Sequence, residues 1–257
     1  MRGSKGTGGA EVTREAPTLR AILFDLDDTL FDHSHCARQA LASVHRSQPC
    51  FAATPFDDFA RLHADHLESL HLEVLAGRID LDAARLERFR RLLLAAGGEE
   101  DLAADAAGLY REGYKAARRA VRGAVDALAT LRTRASIAIV SNNLLAEQWE
   151  KVRQCGLAPH VDALVVSEEA GAAKPDPEIF RAALRRIAVD PSEAVMVGDS
   201  WQADVAGAHA AGIIPIWFNP RSLPAPASPP GVVELRAFEP ANGAVETILS
   251  AFRGRNG

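Results

Sequence analysis

The feature that most constrains the fold is an alternation of short apolar runs with helical segments through the C-terminal half of the chain. The runs Ser136 to Ser141, Ala163 to Ser167, Ala194 to Val197 and Ile213 to Phe218 are rich in Val, Ile and Ala and nearly free of charge. Unbroken apolar runs of this length suit strands buried on both faces. Segments with helical spacing lie between them, at Leu145 to Cys155, Pro177 to Ile187 and Gln202 to Ala211, and another precedes them near Ala124 to Arg132. Parallel neighbours need a long crossover, so this alternation implies a parallel sheet covered by helices on both faces.

A fifth run, Ala21 to Leu26 (AILFDL), stands far upstream of the others. Between them the pattern is helical throughout: Ser34 to Arg46, Pro55 to Ala76, Asp80 to Ala96 and Glu100 to Arg119, with breaks at Pro49, Pro55, Gly77 and Gly97-Gly98 and no convincing strand. This block reads as an insertion after the first strand. The expectation is therefore an α/β chain with a Rossmann-like doubly wound parallel sheet from 19–30 and 121–257, carrying an all-helical insertion over 31–120. Asn219 to Gly231 is proline-rich and reads as an irregular loop before a last strand near Val232 to Leu235 and a helix from Ala241. Residues 1–18 are expected to be a disordered leader, because they lack the apolar run of a signal peptide.

A chain of 257 residues, 47% apolar, can bury one good core and a second small one. Cys36, Cys50 and Cys155 form no short-spaced pair, which argues against a disulfide framework or a zinc site and fits a reducing cytoplasm. No apolar stretch approaches the roughly 20 residues that span a bilayer, so no membrane role is expected. A net charge of −5 argues against a nucleic-acid groove.

In open parallel sheets ligands bind beyond the carboxyl ends of the strands. Those ends carry Asp25, Asp27, Asp28 and Thr29 after the first strand and Ser141 and Asn142 after the second. Glu168 and Glu169 follow the third, and Gly198, Asp199 and Ser200 the fourth. Carboxylates brought together in this way repel one another unless a cation joins them. Magnesium suits the position, since it takes oxygen ligands and commonly uses one or two carboxylates plus a substrate phosphate.

Taken singly, each motif has a plain structural reading. An Asp-x-Asp is usually a solvated turn, Ser141 stands where a serine caps a helix, and a lysine before proline is usually an exposed loop residue. Strand periodicity, however, sends Asp25 and Asp27 to one side. The segment Asp25-Leu26-Asp27-Asp28-Thr29, Ser141 in Val-Ser-Asn, Ala-Lys174-Pro-Asp-Pro and Gly-Asp199 with Asp204 occur in the order and at the strand ends of the haloacid dehalogenase-like (HAD) phosphatases, which the chain resembles from Leu19 to Phe252.

That resemblance implies Asp25 as nucleophile and Asp27 as general acid and base, protonated when it meets the leaving group. It implies Ser141 and Asn142 at the substrate phosphate, Lys174 as the neutralising ammonium, and Asp25, Asp27 and Asp199 as magnesium ligands. Asp204 would touch the ion, a coordinating water or Lys174, with helix capping as the other reading. The insertion resembles the family's helical C1-type cap, and its segment from Gly77 through Phe89 resembles caps of acylneuraminate-phosphate and nucleotide phosphatases. Arg85 and Arg88, otherwise ordinary solvated arginines, and His33 at the hinge are the candidates for substrate specificity.

The function implied is magnesium-dependent hydrolysis of a small phosphorylated metabolite through an aspartyl-phosphate, by a monomer or homodimer. Three rivals stand beside it. A haloacid dehalogenase would need neither magnesium nor a second acid, and Asp27 and Asp199 argue against it. A β-phosphoglucomutase-like phosphomutase would share every motif. A non-catalytic binding protein would be expected to lose Asp25, Asp27 or Lys174, and all are present. The motifs leave phosphoglycolate, sugar phosphates, nucleoside monophosphates and acylneuraminate phosphate open as substrates.

Overall fold

Six parallel strands form one sheet in the order β3-β2-β1-β4-β5-β6 in a computed structural model that describes residues 17–75 and 77–255. The expected leader lies outside the described residues apart from Pro17 and Thr18. The strands are β1 Ala21–Phe24, β2 Ser136–Ser141, β3 Ala163–Val166, β4 Ala194–Gly198, β5 Ile214–Phe218 and β6 Val233–Leu235. β1 is central, with Ala21 to Phe24 in register with Ser136 to Ile139 on one side and Ala194 to Val197 on the other.

Alternate residues of these strands enter two different cores, which is why the runs are apolar without a break. Ile22, Phe24, Ile137, Ile139, Val195 and Val197 pack with Ala127 and Leu131 of α5 (Ala124–Leu131) and Ile248 and Phe252 of α10 (Ala241–Arg255). Ala21, Leu23, Ala138, Val140, Ala194 and Met196 pack instead with Ile179, Phe180 and Leu184 of α8 (Pro177–Ile187). Helices thus cover both faces, and the fold is the expected doubly wound α/β sheet. Among the described residues no helix is long and apolar enough to cross a membrane.

Among the described residues the insertion holds four α-helices: α1 His33–Ser47, α2 Phe56–Leu75, α3 Leu81–Ala95 and α4 Ala103–Ala116. They enclose a core of their own that includes Leu41, Val44, Phe51, Phe59, Phe89, Leu92 and Leu93. Asp32 caps α1 through the His35 N–H, and Asp80 caps α3 through the Ala83 N–H. The chain enters and leaves side by side. Phe31 and Ala120 form a single antiparallel bridge, Val121 N–H donates to the Leu30 carbonyl, and Arg119 grips the Asp32 carboxylate at 2.6 Å.

The remaining helices are α6 Leu145–Gln154, α7 Ser167–Ala170 and α9 Gly207–Ala210. Three of the boundaries that differ from the periodicity lie at the strand ends that shape the site. β1 ends at Phe24, because the Leu26 carbonyl turns to accept the N–H groups of Leu30 and Phe31. Ser167 opens α7 instead of closing β3. The helix expected from Gln202 begins as a π-helical turn, Trp201–Ala206, where Asp204 faces inward. Such widened turns concentrate at functional sites.

Candidate active site

Asp25 follows the central strand, and its N–H still donates to the Val197 carbonyl, which fixes it between the ends of β2 and β4. Lys174 Nζ lies 2.5 Å from Asp25 Oδ1 and 2.7 Å from Asp204 Oδ1, and all three side chains are buried. The other Asp204 oxygen accepts the Ser200 N–H at 3.0 Å. Of the roles open to Asp204, the structure therefore gives it a direct contact with Lys174. This inward turn requires Gly198, where a Cβ would stand 2.4 Å from the Asp204 side chain.

Two loops are tied together around this centre. Thr29 Oγ1 accepts the Asp199 N–H at 3.1 Å, joining the turn after β1 to the end of β4. Asp28, at a φ of 59°, turns its carboxylate to the Ser34 N–H and hydroxyl, both at 2.7 Å. Asn142 uses its amide on the backbone of Lys174: Oδ1 accepts the Lys174 N–H and Nδ2 donates to the Lys174 carbonyl. It was expected beside the substrate phosphate, but both its polar atoms are engaged in holding the lysine's loop. Ser141 does not cap α6: the Leu144 N–H just before the helix is met by Asn143 and the Leu145 N–H that opens it by Glu168.

One oxygen of each of Asp25, Asp199 and Asp204 lies within 4.8 Å of the others. Burial is the main reason that Asp25 titrates well above the usual carboxylate range; Lys174 pulls it down, and Asp204 and Asp199 push it further up. Asp199 is raised to about 7 by burial and by the Asp204 and Asp28 carboxylates. Acids held this close, with hard oxygen donors and one lysine between them, suit a small divalent cation, which would relieve their repulsion. Asp204 already spends its oxygens on Lys174 and the Ser200 N–H, whereas Asp25 and Asp199 each keep a carboxylate oxygen without a hydrogen bond among the described residues and are the groups best placed to give one to a metal.

Asp27 stands apart from the cluster, contrary to its expected place among the carboxylate ligands. Its Oδ1 accepts from Lys151 Nζ at 2.6 Å and its Oδ2 from Gln148 Nε2 at 2.9 Å. Burial pushes its pKa up, but Lys151, His33 and these hydrogen bonds outweigh it and hold the carboxyl below its ordinary 3.8. Asp27 is thus ionised in this arrangement, where the sequence reading has it protonated. Gln148 also donates to Ser141 Oγ at 2.6 Å. Neither Gln148 nor Lys151 is apparent from the motifs, because both read as the polar face of an ordinary amphipathic helix. The available signal was rarity, since the chain has only four lysines and Lys174 and Lys151 are both buried against acids.

The outlying candidates fall into separate places. Glu168 accepts the Leu145 N–H and Glu169 pairs with Arg186, so the third strand end contributes no carboxylate to the cluster. His33 Nδ1 is 2.6 Å from the Tyr114 hydroxyl, at the edge of the site. Arg85 is paired with Glu147 of α6 at 2.6 Å and ties the helical insertion to the sheet domain. Arg88 is buried, lies over the rings of Phe89 and Tyr110, and has an Nε with no hydrogen-bond partner.

Comparison with known proteins places this geometry in context. A family model described as haloacid dehalogenase-like hydrolase matches residues 19–212. The glyceraldehyde 3-phosphate phosphatase of Methanopyrus kandleri is 31% identical over 201 residues, which is 77% of this chain and 83% of the relative. The phosphoserine phosphatase of Thermus thermophilus is 32% identical over 224 residues, covering 78% of this chain and 89% of the relative. Among solved structures, the HAD-hydrolase YfnB of Bacillus subtilis, described as bound to magnesium, has a TM-score of 0.72 at 27% identity, covering 89% of this chain and 99% of that one.

Proposed function

Because the chain belongs to the haloacid dehalogenase-like hydrolases, we propose that it is a magnesium-dependent phosphatase that hydrolyses a small phosphate monoester through a phosphoryl group carried on Asp25. One juxtaposition carries the reading. A buried carboxylate at the central strand end has one oxygen on a buried ammonium, and a second carboxylate, Asp27, is held apart from it on separate partners. The first is restrained for attack and the second is kept for proton transfer.

Asp25 attacks phosphorus with one carboxylate oxygen as the bond to the leaving oxygen breaks, and Asp27 gives that oxygen its proton. Water then attacks the same phosphorus, passing a proton to Asp27 and freeing Asp25 and inorganic phosphate. Lys151 holds Asp27 ionised in the free site, which is the form the second step needs. A phosphate dianion arriving beside Asp27 raises its affinity for a proton by like-charge repulsion, and this supplies the acid form for the first step. Lys174 and the Ser141 hydroxyl stabilise charge on the transferred group. Magnesium, held by Asp25 and Asp199, would neutralise phosphoryl oxygens during transfer. The magnesium described for YfnB supports the choice of ion.

Recognition of the leaving group is assigned to the helical insertion. Arg85 is already matched by Glu147, so Arg88, which has no anion beside it among the described residues, and His33 are the better placed candidates. The relatives' names include a phosphoserine phosphatase, and the serine released from such a substrate has an α-carboxylate of the kind a guanidinium would meet. The free thiols of Cys36, Cys50 and Cys155 are in keeping with a cytoplasmic setting.

The test is a panel of phosphorylated metabolites and 2-haloacids assayed for released phosphate and halide, with magnesium and with excess chelator. Phosphate release that stops in chelator and returns with magnesium is expected. Undiminished hydrolysis in chelator, or halide release alone, would overturn the reading.

A further inference from the structure

Gln148 is a fully buried polar residue that joins two members of the site, and no step above uses it. It lies near the start of α6 with none of its surface exposed. Its Nε2 is 2.6 Å from Ser141 Oγ and 2.9 Å from Asp27 Oδ2, while its Oε1 is buried without a hydrogen-bond partner.

Charge decides the direction of these bonds. Lys151 Nζ donates to the other Asp27 oxygen at 2.6 Å, so in this arrangement Asp27 meets its neighbours as an acceptor; the amide atom facing it is the nitrogen, and the same nitrogen faces Ser141. An amide nitrogen donates only. Ser141 Oγ is therefore the acceptor, and its own hydrogen is not taken up by Gln148. The reversed amide would set Oε1 against the carboxylate and capture the serine hydrogen. The orientation present leaves Oε1 orphaned inside the protein, a penalty that an apolar side chain of similar shape would avoid. A residue retained for packing alone has no need of it.

We propose that Gln148 is a positioning residue for phosphoryl transfer: by donating to Ser141 Oγ it keeps the serine hydroxyl a donor toward the phosphoryl group, and the Asp27 carboxylate locks the amide in that orientation. Without the amide, no donor faces Ser141 Oγ from this side, so its hydrogen is no longer directed at the substrate and can turn inward. This inference rests on the phosphatase reading of the site.

The test is a double-mutant cycle. Gln148→Met and Gln148→Leu, neither of which supplies an amide donor or adds a charge beside Asp27, are made alone and combined with Ser141→Ala. Turnover and KM are measured on p-nitrophenyl phosphate with magnesium, and thermal melts establish folding. Each Gln148 variant is expected to lower kcat by about tenfold or more with KM changed by less than about threefold. In the Ser141→Ala background, the same change should lower kcat by less than about twofold, because the hydroxyl it orients is gone. Unchanged kcat in a folded Gln148 variant, or a loss that multiplies in full with that of Ser141→Ala, would overturn the proposal while leaving the phosphatase reading intact. A wild-type protein that hydrolyses no phosphate ester would overturn both.

Discussion

His63 sits inside the helical insertion at 4% exposure, facing the rings of Phe89 and Tyr110, and its Nε2 has no hydrogen-bond partner. Burial, reinforced by the nearby Arg88, lowers its pKa from 6.5 to about 3. The folded protein thus keeps this imidazole neutral where the unfolded chain would protonate it. Its stabilising contribution is complete above about pH 6.5 and is lost progressively as pH falls toward about 3. One pH unit of travel in that window corresponds to about 1.4 kcal/mol, so moving from neutrality to about pH 5 should remove about 2 kcal/mol. His63→Phe removes the titrating group and keeps an aromatic ring in the cluster. Urea unfolding of wild type and variant near neutrality and near pH 5 isolates the effect, because every other titrating group is common to both. The stability gap should shift by about 2 kcal/mol in the variant's favour at the lower pH. An identical gap at the two pH values would refute the reasoning, whatever the variant's absolute stability.

Three further outcomes follow from the site. Lys174→Ala should lower turnover of every phosphate ester alike, by about 100-fold or more, since it removes the ammonium facing the group common to all of them; a loss confined to one substrate in steady-state assays would contradict this. Arg88→Ala should spare p-nitrophenyl phosphate and penalise a physiological ester through KM, and equal losses on both would show that the arginine only supports the insertion. Gly198→Ala drives a Cβ to within 2.4 Å of the Asp204 side chain. Thermal or urea melts should show it destabilised by about 1–3 kcal/mol, and a fully stable variant would mean that Asp204 has an alternative place to go.

Much of this architecture was legible from residue types. β2 and α8 span Ser136–Ser141 and Pro177–Ile187 as the periodicity predicts, because the strand is buried on both faces and the helix opens on Asp176 and Pro177, an N-cap and a first-turn proline. Position at strand ends singles out Asp25, Ser141 and Asp199, whereas Lys174, in the loop after α7, is marked only by the Ala-Lys-Pro-Asp-Pro motif that resembles the family's. What escaped was decided by tertiary contact. Nothing local shows that Asn142 turns to Lys174, that Asp27 meets Lys151 rather than the acidic cluster, or that Asp204 widens its helical turn to face inward. Arg85 and Arg88 looked alike as helix-face arginines, yet one finds Glu147 across the domain boundary and the other is enclosed over two rings. Side chains on one helix diverge in this way when neighbouring elements supply a partner to one and not to the other.

The most direct test of the covalent mechanism is acid quenching during steady-state turnover, followed by mass spectrometry of the peptide that contains Asp25. The account predicts a phosphoryl group on Asp25 in the wild type with magnesium and substrate. It also predicts no adduct and no turnover in a folded Asp25→Asn variant, whose near-isosteric amide cannot form the acyl-phosphate. Substantial turnover by Asp25→Asn in protein free of contaminating phosphatase, or a phosphoryl group trapped on a different residue, would contradict it.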